Sequence, residues 1–276
     1  MAKDEAFEAL LGHIEAHPVE GDVASMRATF ETLAPPPVEG RWVTIGGIEC
    51  LQIGPGEGPP VVWLHGGGLV FGSPQSHSAM AAYLARTLSR PVILPRYRLA
   101  PEHAWPAPFE DVLALLDAVD DPIDLVGDSA GGHLALLAAQ RRPHALRSLS
   151  LISPNTDRTG ASTTRVSGSK TDAMNDDASD LRLARMAFGA ELATLADASP
   201  LHGDLSNLPP VWITTTTSEV LLDDSLLLIA ALGRAGVSVE ADIRRGLCHL
   251  WPLWPDRLPA ARSTIERLAR SIERRS

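Results

Sequence analysis

Apolar residues recur at helical spacing near the start of the chain, at Phe7, Leu10, Leu11 and Ile14, and the pattern stops at Pro18. A second segment, opened by Asp22, repeats it with Val23, Met26, Phe30 and Leu33. Two short amphipathic helices are predicted. After the Pro35-Pro36-Pro37 break, WVTIGGIECLQI holds two strand-like runs around Gly46-Gly47, a hairpin signal because paired glycines accept the positive φ of a tight turn. From residue 60 short apolar strands alternate with helices: VVWL (61–64), SAMAAYLARTL (78–88), VIL (92–94), FEDVLALLDAV (109–119), IDLV (123–126) and HLALLAAQ (133–140). LSLI (149–152), VWITTT (211–216), SLLLIAALGRAG (225–236), VEADI (239–243) and a helix from about Pro259 continue the alternation. It predicts an α/β fold with a mostly parallel, doubly wound sheet flanked by helices, and one such domain accounts for residues 1–276.

One stretch breaks the rhythm. Residues 154–210 are polar and acidic at first (DRTGASTTRVSGSKTDAMNDDASD), then helix-like (LRLARMAFGAELATLA), and are too long for a plain connection in a compact domain. An insertion with its own role is expected there.

Composition narrows the function. Hydrophobic residues make up 45% and charged residues 21%, the balance of a folded globular protein. The formal net charge of −10 opposes a phosphate backbone, so no nucleic-acid partner is expected. No apolar run is long enough to span a membrane, and MAKDEAFEAL lacks the basic start and apolar stretch of a signal peptide. With only Cys50 and Cys248 present, a disulfide scaffold is excluded and a cytoplasmic protein is expected.

The strongest chemical signal is GDSAG at 127–131, between the strand IDLV and the helix that follows. A sharp strand-to-helix turn forces Ser129 to project its hydroxyl, and small neighbours let the backbone close. The second is HGGG at 65–68, directly after VVWL, where successive glycines turn N–H groups toward a developing oxyanion. Gly67, Gly68 and Ala130 are the expected donors, each worth roughly 10²–10³ in rate. No Lys-Ser/Thr follows, so a phosphate loop is not indicated.

A serine nucleophile needs a base and an acid, which around such a turn follow in the order Ser, acid, His. His133 and His144 come too early, and His202 precedes VWITTT, which leaves His249 in GLCHLW. Three carboxylates follow VWITTT: Glu219 straight off the strand end, then Asp223 and Asp224, which suit the opening turn of the next helix. Glu219 is chosen, with Asp223 as the alternative. Cys248 lacks an activating elbow and reads as a packed thiol, and no His or further acid stands at ligand spacing beside Asp176-Asp177 or Asp223-Asp224, so no metal and no cofactor are expected.

HGGG, YRLAPEHAWPA at 97–107, GDSAGGHLAL at 127–136, SEVLLDDS and GLCH together resemble the hormone-sensitive-lipase-like esterases of the α/β-hydrolase superfamily, over roughly residues 40 to 250. The resemblance implies an α/β-hydrolase fold, a Ser129, Glu219, His249 triad, an oxyanion hole from Gly67, Gly68 and Ala130, and a helical cap from about 1–40 and 155–205. It also implies pairing through the sheet edge into a homodimer. Most members carry Asp where this chain carries Glu219. The expected reaction is hydrolysis of a small to medium acyl ester or a lactone through an acyl-enzyme. An amidase or peptidase using the same triad, or a non-catalytic binding module on the same fold, are the alternatives. Leu69, Val70 and Phe71 are expected to line the substrate pocket, with Phe30, Met174 or Met186 from the cap. Arg98 and Glu102 are expected to form a buried ion pair.

Overall fold

Side chains along a strand alternate between the two faces of a sheet, so a strand covered on both faces must be apolar throughout. VVWL (61–64) and VILP (92–95) meet that demand fully, while the other central strands also bury polar residues such as Asp124, Ser148 and Thr214. The computed structural model describes residues 5–190 and 192–275. Its strands are β1 (Arg41–Ile45), β2 (Ile48–Ile53), β3 (Val61–Leu64), β4 (Val92–Pro95), β5 (Ile123–Asp128), β6 (Leu146–Ile152), β7 (Val211–Thr216) and β8 (Val239–Arg244). They form one sheet in the order β1-β2-β4-β3-β5-β6-β7-β8, parallel from β4 to β8 and antiparallel at the β1-β2-β4 edge. Gly46 and Gly47, both at positive φ, make the two-residue turn that pairs Ile45 with Ile48.

The helices are α1 (Glu5–Glu15), α2 (Val23–Leu33), α3 (Ser78–Leu88), α4 (Ala107–Asp117), α5 (Ala130–Arg141), α6 (Arg165–Gly168), α7 (Asp177–Phe188), α8 (Leu222–Arg234) and α9 (Pro259–Glu273). Val62, Leu64, Leu125 and Ile213 share one core with apolar residues of α4, α5 and α8. Val61, Trp63, Val126 and Trp212 share the other with those of α1, α3 and α9. Odd and even positions of the same strands thus build two separate cores. Among the described residues, no helix is long and apolar enough to cross a membrane.

The segment between β6 and β7 contains α6 and α7, and its helix runs differently from the sequence pattern. It starts at Asp177, capped by Asp176, and ends at Phe188 because Gly189 takes φ 85°; short 3₁₀ turns follow. Buried charges tie this segment to the first turn of α8. Asp224 accepts from the N–H of Thr156 and Asp157 and from Ser162 Oγ, and Arg165 bridges Asp224 to Asp180. Asp223 accepts from Thr163 and Thr164. The N-terminal helices reach the same segment, Arg182 donating to the Gly21 carbonyl.

Arg98 and Glu102 do not pair. Arg98 binds Asp111 of α4 through its guanidinium and its backbone N–H, and Glu102 takes a bidentate bond from Arg27 of α2. Their side chains stay 42% and 53% exposed, so neither is a buried ion. The fork of Arg27 also donates to the carbonyls of Val70 and Ala100, which explains why Glu102 turns outward to it.

Two glycines test how local space constrains this fold. A Cβ on Gly131 would run into the Leu64 and His65 carbonyls, whereas one on Gly12, inside α1, would meet nothing within 4 Å. Gly131→Ala is expected to lower unfolding stability by about 1–3 kcal/mol through overpacking. Gly12→Ala is expected to raise it by about 0.5–1 kcal/mol by removing unfolded-state freedom. Urea denaturation of the two variants beside the parent measures both; an unchanged midpoint for Gly131→Ala would contradict the close approach.

Candidate active site

Strand β5 delivers the chain straight into α5, and the single residue between them is Ser129, at φ 52° and ψ −118°. That backbone is costly for a residue with a Cβ and persists only when its surroundings over-determine it. Here they do: the Ser129 N–H donates to the Ile152 carbonyl at 2.9 Å, and the Ser129 carbonyl accepts from His133 and Asn155. Gly131 lets α5 close onto the end of β3. Just before the serine, Asp128 accepts from Trp63 Nε1 at 2.7 Å and contacts His77 Nε2 at 3.2 Å. Burial pushes its carboxyl up, but His77 and Trp63 outweigh that and hold it below the usual range.

His249, in the loop after β8, lies with Nε2 2.9 Å from Ser129 Oγ and Nδ1 2.7 Å from Glu219 Oε2. With Nδ1–H donated to Glu219, Nε2 offers its lone pair to the serine hydroxyl. All three residues are buried. The other oxygen of Glu219 accepts from the Thr216 N–H and Ser153 Oγ, each at 2.9 Å, and from Thr215 Oγ1. Burial lowers the affinity of His249 for a proton, but its hydrogen bond and charge interaction with Glu219, together with the nearby Asp172, win and raise it from 6.5 to about 9. The structure therefore brings Ser129, Glu219 and His249 together. It places Asp223 elsewhere, on the Thr163-Thr164 backbone.

After β3 the chain turns through Gly67 (φ 116°), Gly68 (φ 61°) and Leu69 (φ 62°). The Val70 and Phe71 N–H groups donate back to the Gly67 carbonyl. Gly67 and Gly68 line a cavity of about 50 Å³ with Ser129 and His249. Ala130 does not line it but stands in the first turn of α5, where a backbone N–H has no carbonyl four residues back in the helix.

Of the residues expected around substrate, Phe71, Phe30 and Met174 line this cavity. Leu69 and Val70 do not: both are buried in the core beside Met26 and Tyr97, because the tight turn rotates them inward and leaves only Phe71 pointing at the site. Met186 packs at the margin of the same core. Sequence reasoning missed Val19, Asn175, Asp180, Leu183 and Leu250 in the cavity wall. Leu183, on α7, packs onto Gly68, and its place on an apolar helical stripe of the insertion was the available signal.

A further carboxylate adjoins the histidine. Donor atoms of Asp172, Glu219 and His249 lie within 4.8 Å of one another. Cys248 is buried, and that burial pushes its thiol up, away from the thiolate a nucleophile needs.

Comparison with known proteins identifies the family. The sequence profile of the alpha/beta hydrolase fold matches residues 61–253. An acetyl-hydrolase of Streptomyces hygroscopicus is 32% identical over 267 residues, covering 92% of this chain and 88% of its own. Carboxylesterase NlhH of Mycobacterium tuberculosis (strain ATCC 25618 / H37Rv) is 31% identical over 238 residues, 78% of this chain and 73% of its own. The crystal structure of an esterase from the bacterial hormone-sensitive lipase family superposes with a TM-score of 0.92 at 26% identity, over 100% of this chain and 99% of that one. With a strand-to-helix serine, a glycine loop after β3 and this extent of likeness, the chain belongs to the α/β-hydrolase family, as a hormone-sensitive-lipase-like carboxylic ester hydrolase.

Proposed function

We propose that this enzyme hydrolyses small-molecule esters of short acyl chain through an acyl-enzyme on Ser129, with His249 as general base and Glu219 as the acid that orients it. The observation that carries this reading is the continuous hydrogen-bonded line from Ser129 Oγ through His249 to Glu219, opening on a cavity walled by Gly67 and Gly68. His249 takes the serine proton as Oγ attacks the ester carbonyl, and Glu219 stabilises the imidazolium. The N–H groups of Gly67, Gly68 and Ala130 receive the oxyanion. The alcohol leaves with the proton from His249, and water activated by the same histidine releases the acid.

Short acyl preference is supported by the small cavity, by Leu183 and Phe71 closing over its glycine wall, and by the likeness to an acetyl-hydrolase. We take α1, α2 and the α6–α7 segment as the cap, since Val19, Phe30, Met174 and Leu183 supply most of the apolar lining.

A p-nitrophenyl ester series from acetate to palmitate tests the nucleophile and the acid. Ser129→Ala is expected to lose at least roughly 10³-fold in kcat, Glu219→Gln roughly 10²–10⁴-fold, and Asp223→Asn only a few-fold. Turnover by Ser129→Ala at the wild-type rate would sink the mechanism. In the same series Leu183→Ala should raise the hexanoate-to-acetate ratio of kcat/KM by roughly 10-fold; an unchanged ratio would remove Leu183 from the acyl site.

The pH dependence follows from His249. The base works only when neutral, so activity falls as pH drops through its pKa, and a pKa above 6.5 puts the acid limb of kcat/KM on the alkaline side of an ordinary histidine. Glu219→Gln removes the strongest of the groups that raise it and leaves burial, which lowers it, opposed only by Asp172 and Asp180, so the limb of the residual activity should move to lower pH. A wild-type limb below 6.5 would refute the coupling.

A further inference from the structure

The carboxylate of Asp172 makes three backbone hydrogen bonds to three different parts of the site. Its Oδ1 accepts from the N–H of His249 itself at 2.9 Å and from the N–H of Met174 at 3.0 Å. Its Oδ2 accepts at 3.1 Å from the N–H of Val220, the residue after Glu219. One side chain thus spans the base loop, the acid loop and the wall of the acyl cavity, where Met174 sits. Neighbouring contacts hold the same segments together. A Cβ on Gly168 would collide with the Glu219–Val220 backbone, and Thr171 Oγ1 donates to the Ser218 carbonyl at 2.9 Å.

We propose that Asp172 is a positioning residue for ester hydrolysis, fixing the His249 and Glu219 loops relative to each other and to the insertion that walls the pocket. The proposal rests on the triad reading above. Asp172 touches neither Ser129 nor the imidazole nitrogens by a hydrogen bond, so it acts through His249: by its backbone grip and by its charge. The titratable groups facing it are Glu219 from the loop after β7 and His249 and Cys248 from the loop after β8, while Asp180 of α7 also acts on the charge of His249. Burial, reinforced by Glu219 and opposed by His249, pushes the Asp172 carboxyl up to about 6. Above that value it is an anion beside the base and favours the imidazolium.

The test compares Asp172→Asn with wild type on p-nitrophenyl butyrate from about pH 5 to 10, with kcat expressed per serine labelled by a fluorophosphonate probe. The expected result is a fall in kcat of roughly 10- to 100-fold with a smaller change in KM, and an acid limb of kcat/KM displaced to lower pH because an anion next to His249 is gone. If the Asn variant does not fold, Asp172→Ser keeps one acceptor without the charge and is expected to show the same displacement. Wild-type kcat per labelled serine, or an acid limb that stays in place while only the melting temperature drops, would overturn the proposal and leave Asp172 a structural contact. Failure of the triad reading is distinguishable: the probe would then not label the wild type, or Ser129→Ala would remain active.

Discussion

Everything at this site depends on the passage of the chain through Ser129, where a residue with a Cβ holds φ 52° between β5 and α5. Such a conformation costs free energy of order 1–3 kcal/mol, so other contacts must enforce it. They come from the strands on either side. β6 supplies the Ile152 carbonyl that accepts from the serine N–H, and β3 ends where Gly131 permits α5 to approach its carbonyls. Parallel strands point all their C-terminal ends one way. The glycine loop after β3, Glu219 after β7 and His249 after β8 therefore converge on the serine at one end of the sheet.

How much of this was legible in the sequence follows from the range of each constraint. The strands, their alternation with helices, the hairpin at Gly46-Gly47 and both glycine motifs rest on residues a few positions apart, and periodicity exposes them. Leu69 and Val70 were misplaced because a sequence shows that a loop follows β3 but not that left-handed turns at Gly67, Gly68 and Leu69 rotate those side chains into the core. Arg98 and Glu102 were paired on proximity in the chain, whereas Arg98 prefers Asp111 on α4 and Glu102 is claimed by Arg27, 75 residues earlier. Asp172 gave no signal at all. Beyond the local Met174 N–H, its partners are backbone N–H groups 48 and 77 residues away, which carry no residue identity for a motif to record.

The choice of glutamate at 219 has a physical rationale in the carboxylate's surroundings. Its Oε1 is held by the Thr216 N–H, Thr215 Oγ1 and Ser153 Oγ, leaving Oε2 free of donors other than His249. Three donors from the ends of β6 and β7 fix one oxygen so that the other can aim along a single direction. The longer side chain reaches the imidazole from a position in the turn after β7, while the shorter Asp223 and Asp224, one helical turn on, are already occupied in anchoring the insertion.

The division of labour among these acids also sets the electrostatics of His249. Glu219 and Asp172 both favour a proton on His249, and burial opposes it. Asp180 carries its charge differently: two arginines and Asn155 surround it, so it holds α7 against the rest of the insertion while facing the cavity. Arg158 and Arg165 pair with it, yet it still favours a proton on His249, and the cavity lining remains apolar on the side of Phe30, Phe71 and Leu183. The histidine thus sits between a charged side that raises its basicity and an apolar side walled by Phe30, Phe71 and Leu183, and the insertion contributes to both through Asp172 and Leu183.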